Sequence, residues 1–383
     1  MDKLGKYCKI ISGYAFKSND LSEGTDIPVI KIGNISNGND VIIDNSIQYV
    51  SKDFLSIDKK YHVVKGDVLI SLTGSHINQP NSMVGRSCRN FSDTEFLLNQ
   101  RAGKVIPNNN ADKDYLYYLL NTESFKYSIC NRAYGAANQA NISPSDIECI
   151  KWNFPSLSMQ RKIASILSAY DNLIENNNKR IKILEQMAEN LYKEWFVRFR
   201  FPGHETTPFE NGIPKGWSEE KLSVVFEVKY GKDHKNIEDG LIPIFGSGGI
   251  MRYGNKALCS EESVLIPRKG SLNNVMYYKG NFWTVDTMFY TKMKIKHCAK
   301  YTYFTLSKVD LEGLNSGASI PSMTTDILYH LKMIVPDEST LIAFDKQIDL
   351  LFAEKDSLEL QNQNLIKQRD LLLPRLMSGK LAV

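Results

Sequence analysis

The chain is poor in the features that announce a chemistry. Its six cysteines (8, 88, 130, 149, 259 and 298) form no C-x-x-C pair, so neither a zinc site nor a disulfide framework is indicated. Their scatter fits a reducing cytoplasm. The six histidines lack metal-ligand spacing, and His297 beside Cys298 is a chance neighbour. There is no G-x-x-x-x-G-K-[ST] phosphate loop, since the run from Gly249 to Lys256 continues only into Ala257. A Pro-Pro-aromatic clamp for a flipped base is also missing. Asp146, Glu148 and Lys151 miss the spacing of a nuclease carboxylate cluster. The matching later places hold Asp326, Leu328 and Leu331, so only the aspartate recurs. No run approaches the ~18 apolar residues that span a bilayer, and Met1–Tyr7 carries no signal-peptide apolar core. A net charge of +4 excludes a histone-like polycation but permits local basic surfaces. These absences point to a recognition or scaffold protein of the cytoplasm, with no catalytic centre, metal or cofactor of its own.

What is present is a duplication. At 383 residues the chain exceeds one ordinary core. Residues 156–199 and 340–377 each read as a long amphipathic helix. Each follows a mixed segment that ends in similar punctuation. The first copy runs Gly135-Ala136-Ala137, Ser143-Pro144-Ser145-Asp146-Ile147, Phe154-Pro155. The second runs Gly317-Ala318-Ser319, Met323-Thr324-Thr325-Asp326-Ile327, Val335-Pro336.

In the second helix Leu341, Phe344, Ile348, Leu351, Lys355, Leu358, Asn362, Leu365, Arg369, Leu372 and Leu376 step alternately by 3 and 4. This is a coiled-coil seam whose polar interruptions fix register at some cost in stability. Pro336-Asp337 is its start signal, and Pro374 followed by Gly379 its stop. The first helix repeats the stripe at Ile163, Leu167, Tyr170, Ile174, Ile181, Leu184, Ala188, Leu191 and Trp195. It ends at Phe201-Pro202-Gly203. With a whole domain between them, the two helices pair most simply antiparallel. Asn176-Asn177-Asn178 then either faces Asn362 across the seam or is a solvated break.

The mixed segments read as β-rich α+β domains. The first offers strands at 27–32, 41–43 and 68–72 and one helix over 112–130. The second offers strands at 263–266, 275–278 and 288–290. Both carry loops that combine glycine, basic and amide or hydroxyl side chains. In the first domain these hold Lys17, Ser18 and Asn19, then Ser75 and His76 within Thr73–Gln79, Asn99 and Arg101, and Gln139 at the end of Arg132–Gln139. In the second they hold Lys232, His234 and Lys235, Ser247 within Gly246–Gly249, and Arg268 and Lys269 before Gly270. Lysine and arginine neutralise phosphates, glycine admits backbone N–H groups, and amides and arginine match base edges. Each loop also has a plainer meaning. Gly246–Gly249 is more often a tight turn than a phosphate cradle, Lys232, His234 and Lys235 are equally a solvated charge run, and Tyr134 equally a core residue. The recurrence of such loops in both halves favours duplex DNA.

Four stretches carry a resemblance to the specificity subunits of type I restriction–modification systems. They are Phe154–Ala164 leading into Leu167–Ile174, Trp195–Phe199 with Phe201-Pro202-Gly203, Gly246–Gly249 with Arg268–Ser271, and Leu372–Leu381. The second helix departs from the Gln160-Arg161-Lys162-Ile163 wording of the first, with Ala343–Ile348 instead. The resemblance implies target-recognition domains at 1–155 and 204–335, with spacer helices at 156–203 and 336–383 pairing as an antiparallel coiled coil. Each domain would read half of a split DNA target, the halves about one helical turn, ~34 Å, apart. Two modification subunits carrying S-adenosylmethionine, and motor–nuclease subunits using ATP and magnesium, would be the partners. Trp195, Phe196, Phe199, Leu372 and Leu376 are the expected seat for the modification subunits. A coiled-coil scaffold without DNA, and an enzyme with an unrecognised site, are the rival readings.

Overall fold

The computed structural model describes the chain except residues 25, 45, 77, 78, 80, 81, 137, 138, 315–320 and 382. Gly317-Ala318-Ser319 of the repeat and Ala137, Ile77, Asn78 and Asn138 of the loops therefore lie outside the described residues. The chain divides into two compact units, one of residues 1–176 with 361–383, the other of residues 177–360. Each joins one mixed fold to a stretch of each long helix.

In the first unit Cys8–Ser12, Ala102–Pro107, Val68–Ser71 and Ser87–Arg89 lie side by side in that order, all antiparallel. In the second, Phe226–Tyr230, Met288–Met293, Glu262–Pro267 and Met276–Lys279 take the same order and directions. Each fold adds a second sheet with one parallel pair, Ile27–Ile30 on Phe96–Leu98 and Asp239–Gly246 on Trp283–Thr284. Each also closes with a short pair at its base. Asp2–Lys3 lies on Lys151–Trp152, and Ser218–Lys221 on Lys332–Val335.

The punctuation seen in sequence is a helix cap in both copies. Ser143 Oγ accepts the Asp146 N–H at 3.1 Å to open Pro144–Glu148. Thr324 Oγ1 accepts the Ile327 N–H at 3.3 Å to open Thr325–His330.

Three expectations are corrected. Val41–Ile43 forms no strand: Ile42 and Ile43 are exposed, and the Ile42 N–H goes to Asn34 O in a local turn. Residues 112–130 are two helices, Lys113–Asn121 and Glu123–Cys130. Thr122 between them is extended, and its hydroxyl accepts the Phe125 N–H as the cap of the second. Pro374 does not stop the last helix, which runs Glu338–Met377. A proline in the final turn forfeits only one backbone bond, and Gly379 at φ 72° ends the helix instead.

The first long helix runs Leu157–Tyr192 and widens into a π turn over Lys193–Val197. Phe199 follows in the left-handed region, at φ 55°. The two helices pair antiparallel. In the second unit Arg180 meets Glu354 at 2.5 Å, and Phe196 meets Phe344 with ring centroids 4.7 Å apart. In the first unit Asp171 meets Arg369 at 2.7 Å. Every position of both 3–4 stripes is buried or partly buried. The charged interruptions are paired, Lys355 with Glu185 and Arg369 with Asp171. Asn177 and Asn362 are both buried.

Each mixed fold packs on its own helix stretches. In the first unit Ile163, Ala164, Leu167, Leu376 and Met377 share a core with Tyr115, Leu119 and Phe125. In the second, Tyr192, Trp195, Phe196, Leu341, Phe344 and Ile348 share one with Trp217, Tyr301 and Phe304. Among the described residues no helix is long and apolar enough to cross a membrane.

Candidate nucleic-acid interface

The loops singled out by composition converge on one end of the four-stranded sheet in each unit. A matched set of backbone bonds builds that end twice. In the first unit Gly13 N–H donates to Ala102 O (2.9 Å), Tyr14 to Leu98 O (2.7 Å) and Leu72 to Arg101 O (2.9 Å). In the second, Gly231 donates to Met288 O (3.0 Å), Lys232 to Thr284 O (2.9 Å) and Arg268 to Thr287 O (2.8 Å). Strand closure repeats as well, Ile142 N–H to Leu72 O and Met323 N–H to Arg268 O. Glycine is required where the chain leaves the first strand. A Cβ on Gly13 would lie 2.2 Å from Leu98 O, and one on Gly231 would lie 2.0 Å from Val285 O.

In the first unit Lys17, Ser18 and Asn19 are exposed in a single turn, fixed by Lys17 N–H on the Asp20 carboxylate at 2.8 Å. Arg101 and Gln139 are also exposed, Gln139 on the strand that pairs with Thr73–Gly74. Tyr134, on the next strand, is exposed rather than core. His76 is half-buried, and its carbonyl accepts the Gln79 N–H.

Two candidates hold the loops together instead of facing outward. Ser75 is 4% exposed, with its hydroxyl on Gln79 O (2.9 Å) and Ser82 Oγ (2.7 Å). Asn99 is half-buried and turns its side-chain oxygen to the Arg101 N–H. Both corrections have one cause. Short polar side chains in tight turns bond to nearby groups before they can reach a ligand.

In the second unit Lys232, Lys235 and Lys269 are exposed. None of their ammonium groups has a partner among the described residues. Arg268 is half-exposed. Its guanidinium lies over the Tyr230 ring at 5.5 Å, and Nη1 donates to Asp286 O at 3.2 Å. Ser247 is braced by Asn274 Nδ2 on its carbonyl at 2.7 Å. His234 is half-buried and tied to a strand neighbour through its ring and its carbonyl. Arg252 reaches its Nδ1 at 3.3 Å and its carbonyl at 2.6 Å, and Ile237 O at 2.7 Å.

Arg252 and Asn274 are neighbours of these loops that the sequence did not reveal, one in a strand and one in a polar turn with no local pattern to mark them, whereas Tyr230 lies in the basic, glycine-containing run Lys229–Lys235. Among the described residues no group of three or more His, Cys, Asp or Glu side chains could hold a metal.

The expected partner seat is also corrected. Trp195 is 8% exposed and Phe196 6%, and both belong to the second unit's core. Phe196 is enclosed by Tyr301 (4.4 Å), Phe344 (4.7 Å) and Trp217 (5.8 Å). Leu376 is buried in the first unit's core and Leu372 packs against it. Phe199 is half-buried, edge-on to Phe209 and Trp217. Large rings at a helix end are covered first by the chain's own domain.

Comparison with known proteins gives one consistent result. A family model described as the type I restriction modification DNA specificity domain matches residues 1–186 and 214–366. A type I restriction enzyme specificity subunit from Methanocaldococcus jannaschii, MjaIX, is 27% identical over 75% of this chain and 73% of its own length. The HindI specificity subunit of Haemophilus influenzae is 22% identical over 84% of this chain and 88% of its own. The crystal structure of a type I S subunit from M. genitalium superposes with a TM-score of 0.61. It covers 98% of this chain and 94% of that one at 19% identity, a likeness of fold.

Proposed function

Since this chain belongs to the type I restriction–modification DNA specificity family, we propose that each unit reads one half of a split duplex target. The observation that carries the proposal is the duplicated sheet end. Two units with matching strand order raise basic and amide side chains on the same backbone frame, one reading head per half-site. The half-sites are then about one helical turn, ~34 Å, apart. The chain performs no chemistry itself. Adenine methylation with S-adenosylmethionine falls to two modification subunits, and ATP- and magnesium-dependent translocation and cleavage fall to motor–nuclease subunits. With Trp195, Phe196 and Leu376 inside the cores, the seat for those partners passes to apolar side chains left outside on the helices. Ile183 and Met187, both exposed and one turn apart, are one such pair.

Lys17, Arg101, Lys232, Lys235 and Lys269 are phosphate contacts in this reading. Each contributes about 0.9 to the slope of log K against log salt. Single alanine substitutions should lower the measured slope by that amount at each true contact. An unchanged slope at all five positions would refute the DNA surface. Duplex binding with no salt dependence would favour the scaffold alternative, and turnover by the isolated chain would favour an enzyme.

A further inference from the structure

The cations at the second unit's sheet end are not alike. Lys232, Lys235 and Lys269 are exposed, and their long side chains have no partner among the described residues. They suit phosphates, which accept a point charge from many directions. Arg268 is held on every side. Its backbone N–H donates to Thr287 O at 2.8 Å, and its carbonyl accepts the Met323 N–H at 2.9 Å. Its guanidinium lies over the Tyr230 ring, itself 52% exposed. Nη1 is on Asp286 O. One edge of the planar group is therefore committed, and the Nε–Nη2 edge keeps two parallel donors. A fixed pair of parallel donors matches guanine O6 and N7 in the major groove, and no other base offers two acceptors there in that arrangement. Prior fixing by the ring and the carbonyl reduces the ordering cost on binding.

The first unit has no counterpart. The matched backbone bonds put Leu72 where Arg268 stands, Tyr14 where Lys232 stands, and Arg101 where Thr287 stands. Ser12, at the end of its first strand, takes the place of Tyr230. The two reading heads share a frame but carry their arginines at different points on it.

We infer that Arg268 is the base-reading residue of the second unit, that Tyr230 is its positioning residue, and that the half-site they serve contains a guanine. This rests on the DNA reading proposed above. The test is selection from randomised duplexes by the full chain with its modification subunits, for the parent and for R268A, R268K, K269A, Y230A and Y230F.

The parent should select a split motif with a guanine in one half. R268A and R268K should lose about 5- to 150-fold preference at that guanine, the equivalent of ~1–3 kcal/mol, and leave the other half-site unchanged. Y230A should weaken the preference with little change in salt slope, and Y230F, which keeps the ring, should restore it. K269A should lower affinity for all sequences alike.

If the parent selects a motif but R268A and R268K change only the salt slope, the inference is overturned and the DNA reading stands. A selected motif without guanine in the half-site that responds to Arg268 overturns it too. If the parent selects no motif, the DNA reading itself fails. A thermal melt of each variant identifies misfolding, and R268K and Y230F then carry the comparison.

Discussion

In the first unit the Ile10 N–H donates to the Glu148 carboxylate at 2.8 Å. At the matching place in the second, the Val228 N–H donates to the Tyr329 hydroxyl at 2.9 Å. The same bond is made by different chemistry, and the pattern recurs. Asp114 of the first unit is ion-paired to Arg89 at 2.9 Å. Its counterpart Lys300 is 1% exposed and gathers Asp345 (2.6 Å), Glu262 (2.9 Å) and Asp349 (3.1 Å). Gln160 is buried, accepting the Asp112 N–H and donating to Pro155 O. Leu341 fills the matching place without a polar atom. The backbone ladder and the glycine exits are shared, whereas the side chains that lock them are free to change, even in sign. Two folds so related can diverge at their reading ends without altering the frame beneath.

The packing of the helices differs most. The second unit's helix stretches bring aromatic rings to their core, and those of the first bring aliphatic side chains and the Asp171–Arg369 pair. Phe196→Ala should therefore cost about 3–5 kcal/mol through an aromatic cavity, lowering the urea midpoint. Its loss of hydrogen-exchange protection should concentrate in residues 177–360. Equal loss in both units would dissolve the distinction between them. A lowered melt with retained association of the modification subunits is expected, since the ring is interior.

The shared frame predicts equality elsewhere. Gly13→Ala and Gly231→Ala each drive a methyl into backbone oxygens at the same step of the same ladder. Each should cost about 2–3 kcal/mol by overpacking. Markedly unequal losses in thermal or urea melts would show that the two sheet ends are less alike than their bonding.

The smallest contrast lies at the helix starts. Asp337 caps the second long helix, accepting from Thr340 N–H and Oγ1, Ser339 Oγ and Trp217 Nε1. Partial burial works against its charge, but those hydrogen bonds prevail and hold the carboxyl down at about 2. A folded value below the ordinary 3.8 means that the contribution is complete above about pH 4. It is lost as the pH falls towards 2. Ser156, in the matching place, accepts the Met159 N–H with a hydroxyl that does not titrate. Asp337→Ala should cost about 1 kcal/mol at neutral pH and almost nothing near pH 2, whereas Ser156→Ala should show no such pH dependence. Parallel pH profiles for the two would remove the assignment.

The long helices were legible because their signal is local and sustained. A 3–4 stripe over ten positions leaves few alternatives, and even its charged members proved to be seam residues. Three of the second unit's strands, Glu262–Pro267, Met276–Lys279 and Met288–Met293, were legible from short apolar runs, whereas Phe226–Tyr230, Asp239–Gly246 and Gly249–Gly254 were not. Pairings between distant segments, such as Ile27–Ile30 beside Phe96–Leu98, leave no local trace. At the site, composition found the loops but not the direction of their side chains. Ser75, Asn99 and His234 have polar groups suited to a ligand and turn them to the protein, Ser75 as a donor and the other two as acceptors. Trp195 and Phe196 read as excess apolar surface because Phe344, which packs on both, and Tyr301, which packs on Phe196, are distant in sequence.

The way the first unit is assembled bears on how the chain is made. Its core needs Leu376 and Met377 against Ile163 and Leu167, so its final pieces leave the ribosome after the whole of the second unit. The second unit, a continuous stretch of residues 177–360, has all its parts well before then. The usual order, in which the amino-terminal domain folds first during synthesis, is thereby reversed for the finished core. While the later segments are translated, Ile163 and Leu167 have the first mixed fold on one side but lack Leu376 and Met377, a span in which a chaperone or a neighbouring nascent chain has access to that face. A premature stop shortly before Leu372 would leave that face permanently without its second-helix cover while sparing the second unit, and its signature would be aggregation seeded from the amino-terminal half.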